Sequence, residues 1–486
     1  MVTGRTEANV LTLRPSARAR LISLASFLTV VSAVHADNRP DVFDYGVDVG
    51  VGESDNVTLV SSGKVSQTIA TADADFSLKQ QGRLFDDQIK GQFSYFDYLQ
   101  HAFGSQLVGR FDGLADFAII PERLTWALQD DFGQAQISPF AAQTPTNLES
   151  INSLSTGPEL NLRFGGASFA KLNARYTRVD YQISPFSGNR LLGSLEVGRL
   201  LSARSTVSLN VNSERVLFQN TIVNTDFNRS SAYAGYELHG ARTDLTAKLG
   251  VTRVDEGSIS TSGALAMLEL TRKISPTSSL TFSAGRDLTD ASASFANLQG
   301  GAINQIAVAQ AIMTSSPYTM TFAQMGWRYV RNRTTIGLSA RWERDSYING
   351  ASVDVVGINQ LSGAIQPGAS FAANPATLDM TRGGAEFSAE EKITRVLSLQ
   401  FLASLYSSDY PHANFTAAAG STRFEDGAVG AGLLFRAGRA LEIHLRVDHI
   451  QRVVSGVGSG TGYSDNTAFL TVGYRPRPTT AVPNPP

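Results

Sequence analysis

From Val42 the chain alternates. In VFDYGVDVGVG, Phe43, Tyr45, Val47, Val49 and Val51 share one face, while Asp44, Gly46, Asp48, Gly50 and Gly52 share the other. Successive side chains of a strand point to opposite sides, so a period of two marks a strand with one apolar and one polar face. The pattern returns at Leu107–Phe117, Leu124–Leu128, Val207–Val211, Ile336–Trp342 and Leu441–Val447, and in many stretches between them. About twenty such segments of about 9–14 residues occur, the length a tilted strand needs to cross a bilayer.

The connections add a second periodicity. Short ones lie at 119–122, 165–168, 202–204, 239–242, 331–334, 392–395 and 437–440. Longer ones fall between them, at 134–153, 218–228, 287–319, 348–380, 408–421 and 453–464. A soluble sandwich has no reason to keep every second loop short, whereas an outer-membrane barrel has short periplasmic turns and long external loops. In lipid every backbone group must be paired, so the sheet must close, with its apolar face outward and its polar face around a lumen. The expected fold is all-β: one large antiparallel transmembrane β-barrel of about 18–20 strands.

Composition and termini agree with this reading. Charged residues make up 17% of the chain, against ~25% in soluble proteins. The net charge of -2 leaves no electrostatic footprint for nucleic acid. Without cysteine there is no disulfide framework, thiol nucleophile or thiolate metal site. Arg14, Arg18 and Arg20 precede an apolar run from Leu21 to Val34, then SAVHA, which is the pattern of a secretory signal peptide at 1–36. The barrel is expected over 37–475 and a Pro-rich disordered periplasmic tail over 476–486. The expected location is the bacterial outer membrane. Its lipids and the barrel assembly machinery are the expected partners.

Candidate site residues follow from the two faces. On the polar face, Arg110, Asp112, Arg123, Lys171, Arg175, Glu214, Lys248, Arg328, Arg341, Glu343 and Arg446 are candidates to line the lumen. Both signs are present, which implies a wet interior crossed by ion pairs and no strong anion or cation preference. SDN occurs twice, at 54–56 and 464–466. First and last strands of a closed barrel are neighbours, so Asp55 and Asp465 meet at the outer rim. There they either offer two carboxylates to a divalent cation or serve as Asx-turn groups at strand ends, the reading adopted here. ISPF also occurs twice, at 137–140 and 183–186, each after an outward-running strand. Pro ends a ladder because it has no N–H, and Phe140 and Phe186 are expected to anchor loop bases at the lipid interface. GVGSGTG at 456–462 has no helix behind it and reads as an outer loop, not a phosphate cradle. No nucleophile–base set, metal cluster or cofactor motif stands out, so no catalytic residue, metal or cofactor is expected.

The stretch Asp131–Gly166 carries Ser138-Pro139-Phe140, then Thr144 to Asn147, then Gly157-Pro158. In this order it resembles a family of outer-membrane β-barrels associated with PEP-CTERM/exosortase and exopolysaccharide loci. GVGESDNVTL at 50–59 resembles that family's first-loop signature, with Glu53-Ser54 where a Tyr is common. The resemblance implies a porin-like channel or conduit near exopolysaccharide or surface-protein export, and no catalytic residues. Polysaccharide or small hydrophilic solutes are the candidate cargoes. The competing readings are a structural or adhesive scaffold with a blocked lumen, and a membrane-embedded lipid hydrolase, for which no converging Ser, His and acid are visible.

Overall fold

A computed structural model describes residues 42–138, 140–221, 224–293, 315–348, 353–358, 365–373, 379–411, 422–456 and 462–476. The expected signal peptide and residues 477–486 of the expected tail lie outside these, as does most of the loops 287–319 and 408–421. The first strands are β1 (Val42–Ser54), β2 (Gln67–Gln81), β3 (Phe85–Tyr98), β4 (Gln106–Ile120), β5 (Leu124–Gln136), β6 (Leu148–Phe164), β7 (Ser168–Tyr181) and β8 (Gly188–Ser202). Then come β9 (Ser205–Phe218), β10 (Phe227–His239), β11 (Thr243–Glu256), β12 (Ile259–Ser275), β13 (Ser278–Thr289), β14 (Tyr318–Arg331) and β15 (Thr334–Tyr347). Among the described residues two further strands, β16 (Val353–Ile358) and β17 (Ile365–Ala373), pair only with each other. The chain closes with β18 (Met380–Lys392), β19 (Leu397–Tyr410), β20 (Thr422–Ala437), β21 (Leu441–Gly456) and β22 (Tyr463–Tyr474).

Apart from β16 and β17, each strand pairs antiparallel with its sequence neighbours, and β15 pairs with β18. β1 also pairs with β22, from Val47 opposite Tyr474 to Ser54 opposite Thr467. The result is one closed 20-stranded sheet with no edge.

The two faces follow the alternation. Val49, Leu209, Leu249 and Leu405 are 56%, 67%, 69% and 64% exposed, values found on apolar side chains all around the wall. A soluble protein rarely leaves so large an apolar surface uncovered, and lipid is the solvent that suits it. This is the architecture of a bacterial outer-membrane protein. At the periplasmic end Tyr45 and Tyr474 lie 6.5 Å apart across the seam, and Trp327 stacks with Tyr329 at 6.1 Å, as interfacial aromatics do. The alternation of loop length has an exception: β11 and β12 are joined at their outer ends by Gly257 and Ser258 alone, with Gly257 at φ +56°.

The seam between β1 and β22 carries more than ladder hydrogen bonds. The Ser54 hydroxyl donates to Asp465 Oδ1 at 2.8 Å, and the Asn56 amide donates to the same oxygen at 2.9 Å. In return Asp55 accepts from the Asn466 backbone at 2.9 Å and from its Nδ2 at 2.6 Å. Asn56 Nδ2 also reaches the Ser464 carbonyl at 2.9 Å. The two SDN copies thus tie each other, and both carboxylates are occupied by protein donors. No cluster of three or more metal-ligating acids or histidines occurs among the described residues.

A second tie sits at the opposite end of the seam. Arg475 donates to Asp48 at 3.0 Å and to Asp75 at 2.7 Å, and lies 3.6 Å from Glu442. Asp465→Ala should leave the buried Asn56 amide with only its 3.2 Å contact to the Ser54 hydroxyl and lower stability by about 1–3 kcal/mol. The measurement is the temperature at which the compact band on a cold detergent gel converts to the unfolded one. Calcium or a chelator should not move that temperature, and a calcium-dependent shift would reinstate the cation reading.

Candidate functional site: an inward-folded extracellular mouth

The loop between β5 and β6 is knotted by one side chain. Asn147 Oδ1 accepts from the Ser138 amide at 2.9 Å. Its Nδ2 donates to the carbonyls of Ser138 at 2.9 Å and Ala142 at 3.0 Å. Its own carbonyl accepts from the Ile137 amide at 3.0 Å. A single 3-10 turn, Pro145–Asn147, delivers Asn147 to this position. Asn147 is buried, so the loop has a polar core of its own.

The knot presents Phe140 to the far wall. Phe140 packs with Tyr318, Tyr347, Met380, Tyr410 and Phe424, from β14, β15, β18, β19 and β20. Its ring centroid lies 4.7 Å from that of Tyr410 and 5.9 Å from that of Phe424. In the sheet, β21, β22 and β1 to β4 separate this socket from the loop on one side, and β7 to β13 on the other. The loop therefore crosses the mouth of the barrel. Arg452 on β21 secures it: Nη1 donates to the Ala141 carbonyl at 3.0 Å, while Nε and Nη2 hold Asp426 at 2.6 and 3.1 Å.

The second ISPF folds over the base of the first loop. The Ile183 and Ser184 amides donate to Glu149 Oε2 at 3.1 and 2.8 Å, and the Ser184 hydroxyl to Oε1. Phe186 packs with Ala135, Ile151, Val179 and Tyr181, meeting Tyr181 edge-on at 5.9 Å. The expectation for both phenylalanines is thus corrected. Phe140 and Phe186 are 8% and 6% exposed and belong to clusters at the mouth, not to the lipid interface. Alternation stops where a strand ends, so it does not set which way a side chain in the following turn will point.

A third device closes the side nearer β8 to β10. Arg190 lies between Glu214, at 2.8 Å, and Asp290 in the segment after β13, at 2.6 Å. It also donates to Ser292. Arg229 adds a contact to Glu214 at 2.7 Å and a longer one to Asp290 at 3.9 Å. Two cations and two anions, three of them with side chains under 10% exposed, pin residues 290–293 to the wall. Burial opposes the charged form of Asp290, but the neighbouring Arg190 outweighs it and holds the carboxyl well below its ordinary range.

Below the mouth the inward face is polar and open. Lys171 pairs with Glu196 at 3.4 Å, and Arg446 with Asp448 at 2.8 Å, with Lys171 and Arg446 about half exposed. Arg341 pairs with Glu343 and lies over the Phe322 ring. Arg110 and Asp112 alternate with the lipid-facing Leu107, and Asp112 sits opposite Lys90 and Asp131. Lys248 lies over the Tyr233 ring, and Arg328 pairs in register with Ser279 and Gly337. Three candidates have other positions or duties. Arg123 stands in the turn between β4 and β5. Glu214 is consumed by the buried cluster. Arg175 repairs a break in β6: Pro158 has no N–H to give, and Arg175 Nη1 donates to the carbonyls of Gly157 at 2.8 Å and Pro158 at 3.2 Å. A Cβ on Gly157 would meet the Ala174 carbonyl oxygen at 2.0 Å, so the close approach requires glycine.

Sequence reasoning missed Arg190, Arg229, Asp290, Asp426, Arg452 and Glu149. All but Asp290 stand on strands, but their partners lie on other strands or loops.

No family model and no curated protein matches the chain. Among solved structures it overlaps the FrpB iron transporter of Neisseria meningitidis at 9% identity, covering 89% of this chain and 81% of that one, with a TM-score of 0.41. The siderophore receptor PirA of Pseudomonas aeruginosa overlaps at 13% identity, 90% and 81% coverage and a TM-score of 0.38. The alcaligin outer-membrane receptor FauA of Bordetella pertussis overlaps at 13%, 90% and 76%, with a TM-score of 0.37. The barrel is defined by its own closed register.

Asn147→Ala removes the loop's polar core, and Phe140→Ala empties a socket that is worth about 3–5 kcal/mol for a buried Phe. Both should expose residues 137–147 to limited proteolysis while the barrel stays resistant to cold detergent. A pH dependence follows from Asp290. A carboxyl depressed in the folded state contributes stability that is present above its unfolded pKa of about 3.9 and is lost as pH falls through the folded value. The Ala293 amide, which donates to Asp290 at 3.1 Å, should therefore keep its exchange protection, corrected for intrinsic rate, from about pH 8 down to about pH 5. Loss of protection centred above pH 5 would refute the latch.

Proposed function

We propose that this chain is a passive outer-membrane conduit whose extracellular mouth is held shut by its own loops. One observation carries the reading: Phe140, on a loop from one wall, is seated in an aromatic socket on the opposite wall above an open, charged inner face. The wall below supplies a hydrated route, and both charge signs along it favour weak ion selectivity. The loop supplies the closure. The ISPF turn and the Asn147 knot of this loop, with the Gly157-Pro158 break in the following strand β6, are also the residues that carry the resemblance to export-associated barrels. On that resemblance the cargo is polysaccharide-linked, and small hydrophilic solutes would share the route.

A second reading has support from the same observation. A mouth sealed by a buried Phe, a knotted loop and a four-charge cluster also suits a scaffold whose loops bind surface polymer over a blocked lumen. Planar-bilayer recording separates the two. The conduit predicts rare or small conductance steps for the wild type and, for Phe140→Ala and Asn147→Ala, frequent large steps with little preference between potassium and chloride. If the folded variants are as silent as the wild type, the conduit fails and the scaffold stands.

A further inference from the structure

The outward face ends its apolar run in the same way on five successive ascending strands. On β7, Leu172, Ala174 and Tyr176 are followed by Arg178; on β9, Leu209 and Val211 by Ser213 and Arg215. On β11, Leu249 and Val251 precede Arg253; on β13, Phe282 and Ala284 precede Arg286; on β15, Ala340 and Trp342 precede Arg344. Period two places each arginine on the same face as the residues before it, which is the lipid face. The register agrees, with Arg215 opposite Leu191, Arg253 opposite Ser262, and Arg286 and Arg344 both opposite Thr321.

Five arginines thus form an arc at the outer edge of the apolar belt. Alternate strands carry them, so neighbours along the arc lie about 10 Å apart at a strand spacing of about 4.8 Å. Between them the intervening strands place hydroxyls, Ser230, Ser262 and Thr321, on the same face. Arg178 and Arg253 are paired with Asp180 and Asp255. Arg215, Arg286 and Arg344 are exposed. The arc is one-sided: at the outer ends of β1 and β3 the lipid face carries Glu53 and Asp97 instead.

A cation at the lipid boundary meets headgroups, and a guanidinium offers a planar fork that matches phosphate oxygens. We infer that this arc, from β7 to β15, binds outer-leaflet lipid whose headgroup carries phosphate monoesters, with the hydroxyls of the intervening strands completing the contacts. The inference concerns the outer wall and does not depend on whether the lumen conducts.

The test uses the full chain in detergent, with diphosphorylated lipid A as the probe and the same lipid stripped of its phosphates as the comparison, read by native mass spectrometry. The wild type should retain the phosphorylated lipid and bind the stripped one at least about tenfold more weakly, since hydrogen bonds to charged groups contribute on that scale. Arg215→Gln, Arg286→Gln and Arg344→Gln combined should lose retention by a similar factor. Arg110→Gln, Arg328→Gln and Arg446→Gln combined, an equal charge change on the inward face, should not. Migration on cold detergent gels confirms that each variant is folded. If the outward variant does not fold, the wild-type comparison of the two lipids decides alone. Equal binding of both lipids, no binding of either, or equal loss in both triple variants would overturn the inference.

Discussion

Everything in this molecule depends on the pairing of β1 with β22. A sheet in lipid cannot leave a row of N–H and C=O groups unpaired, because no water is present to take them. The ladder from Val47 to Ser54 removes the last edge. Two further ties bracket it, the reciprocal SDN contacts at the outer end and Arg475 at the inner end. Both lie where the ladder meets water, and water competes there for strand-end hydrogen bonds. The polar side chains are placed where the backbone alone is weakest.

Closure then divides the side chains into three environments with different chemistry. The outer wall needs only to be apolar over the belt and polar beyond it, and small residues such as Ala232, Ala234 and Ala247 are tolerated because lipid fills around them. On the inner wall charges such as Lys171, Arg341 and Arg446 find counter-ions on a neighbouring strand or two residues along the same one. The mouth behaves like the interior of a soluble protein. Its aromatic socket, buried Asn147 and Arg190 cluster are the places where burial and hydrogen bonding determine a unique loop arrangement. Opening the mouth requires breaking these contacts rather than bending the wall.

These environments were not equally readable from the sequence. The strands were legible because alternation is local: Val47, Val49 and Val51 declare a face without reference to any other part of the chain. The barrel was legible because loop length alternated too. The mouth was not, since Phe140 and Tyr410, or Arg190 and Asp290, meet only after the sheet has closed. The family-like segment shows the limit well. Ser138-Pro139-Phe140, Asn147 and Gly157-Pro158 were recognisable as a pattern, but the pattern gave no sign that Asn147 is a hub, that Phe140 crosses the mouth, or that Arg175 repairs the break at Pro158. A rim reading of the two ISPF copies had the correct end of the barrel and the wrong face.

The SDN contacts have a consequence for how such a chain is made. Asn56 and Asp465 are separated by 409 positions, and neither copy has its partner until the last strand arrives. Until then β1 presents an open edge, the kind of surface that recruits other chains. Contacts of such long sequence separation form late and slowly. The seam therefore works as a final inspection: a chain that lacks its terminal strand, or delivers it out of register, forfeits the Asp465 and Ser464 contacts to Asn56, and its first strand stays exposed for degradation or aggregation to act upon.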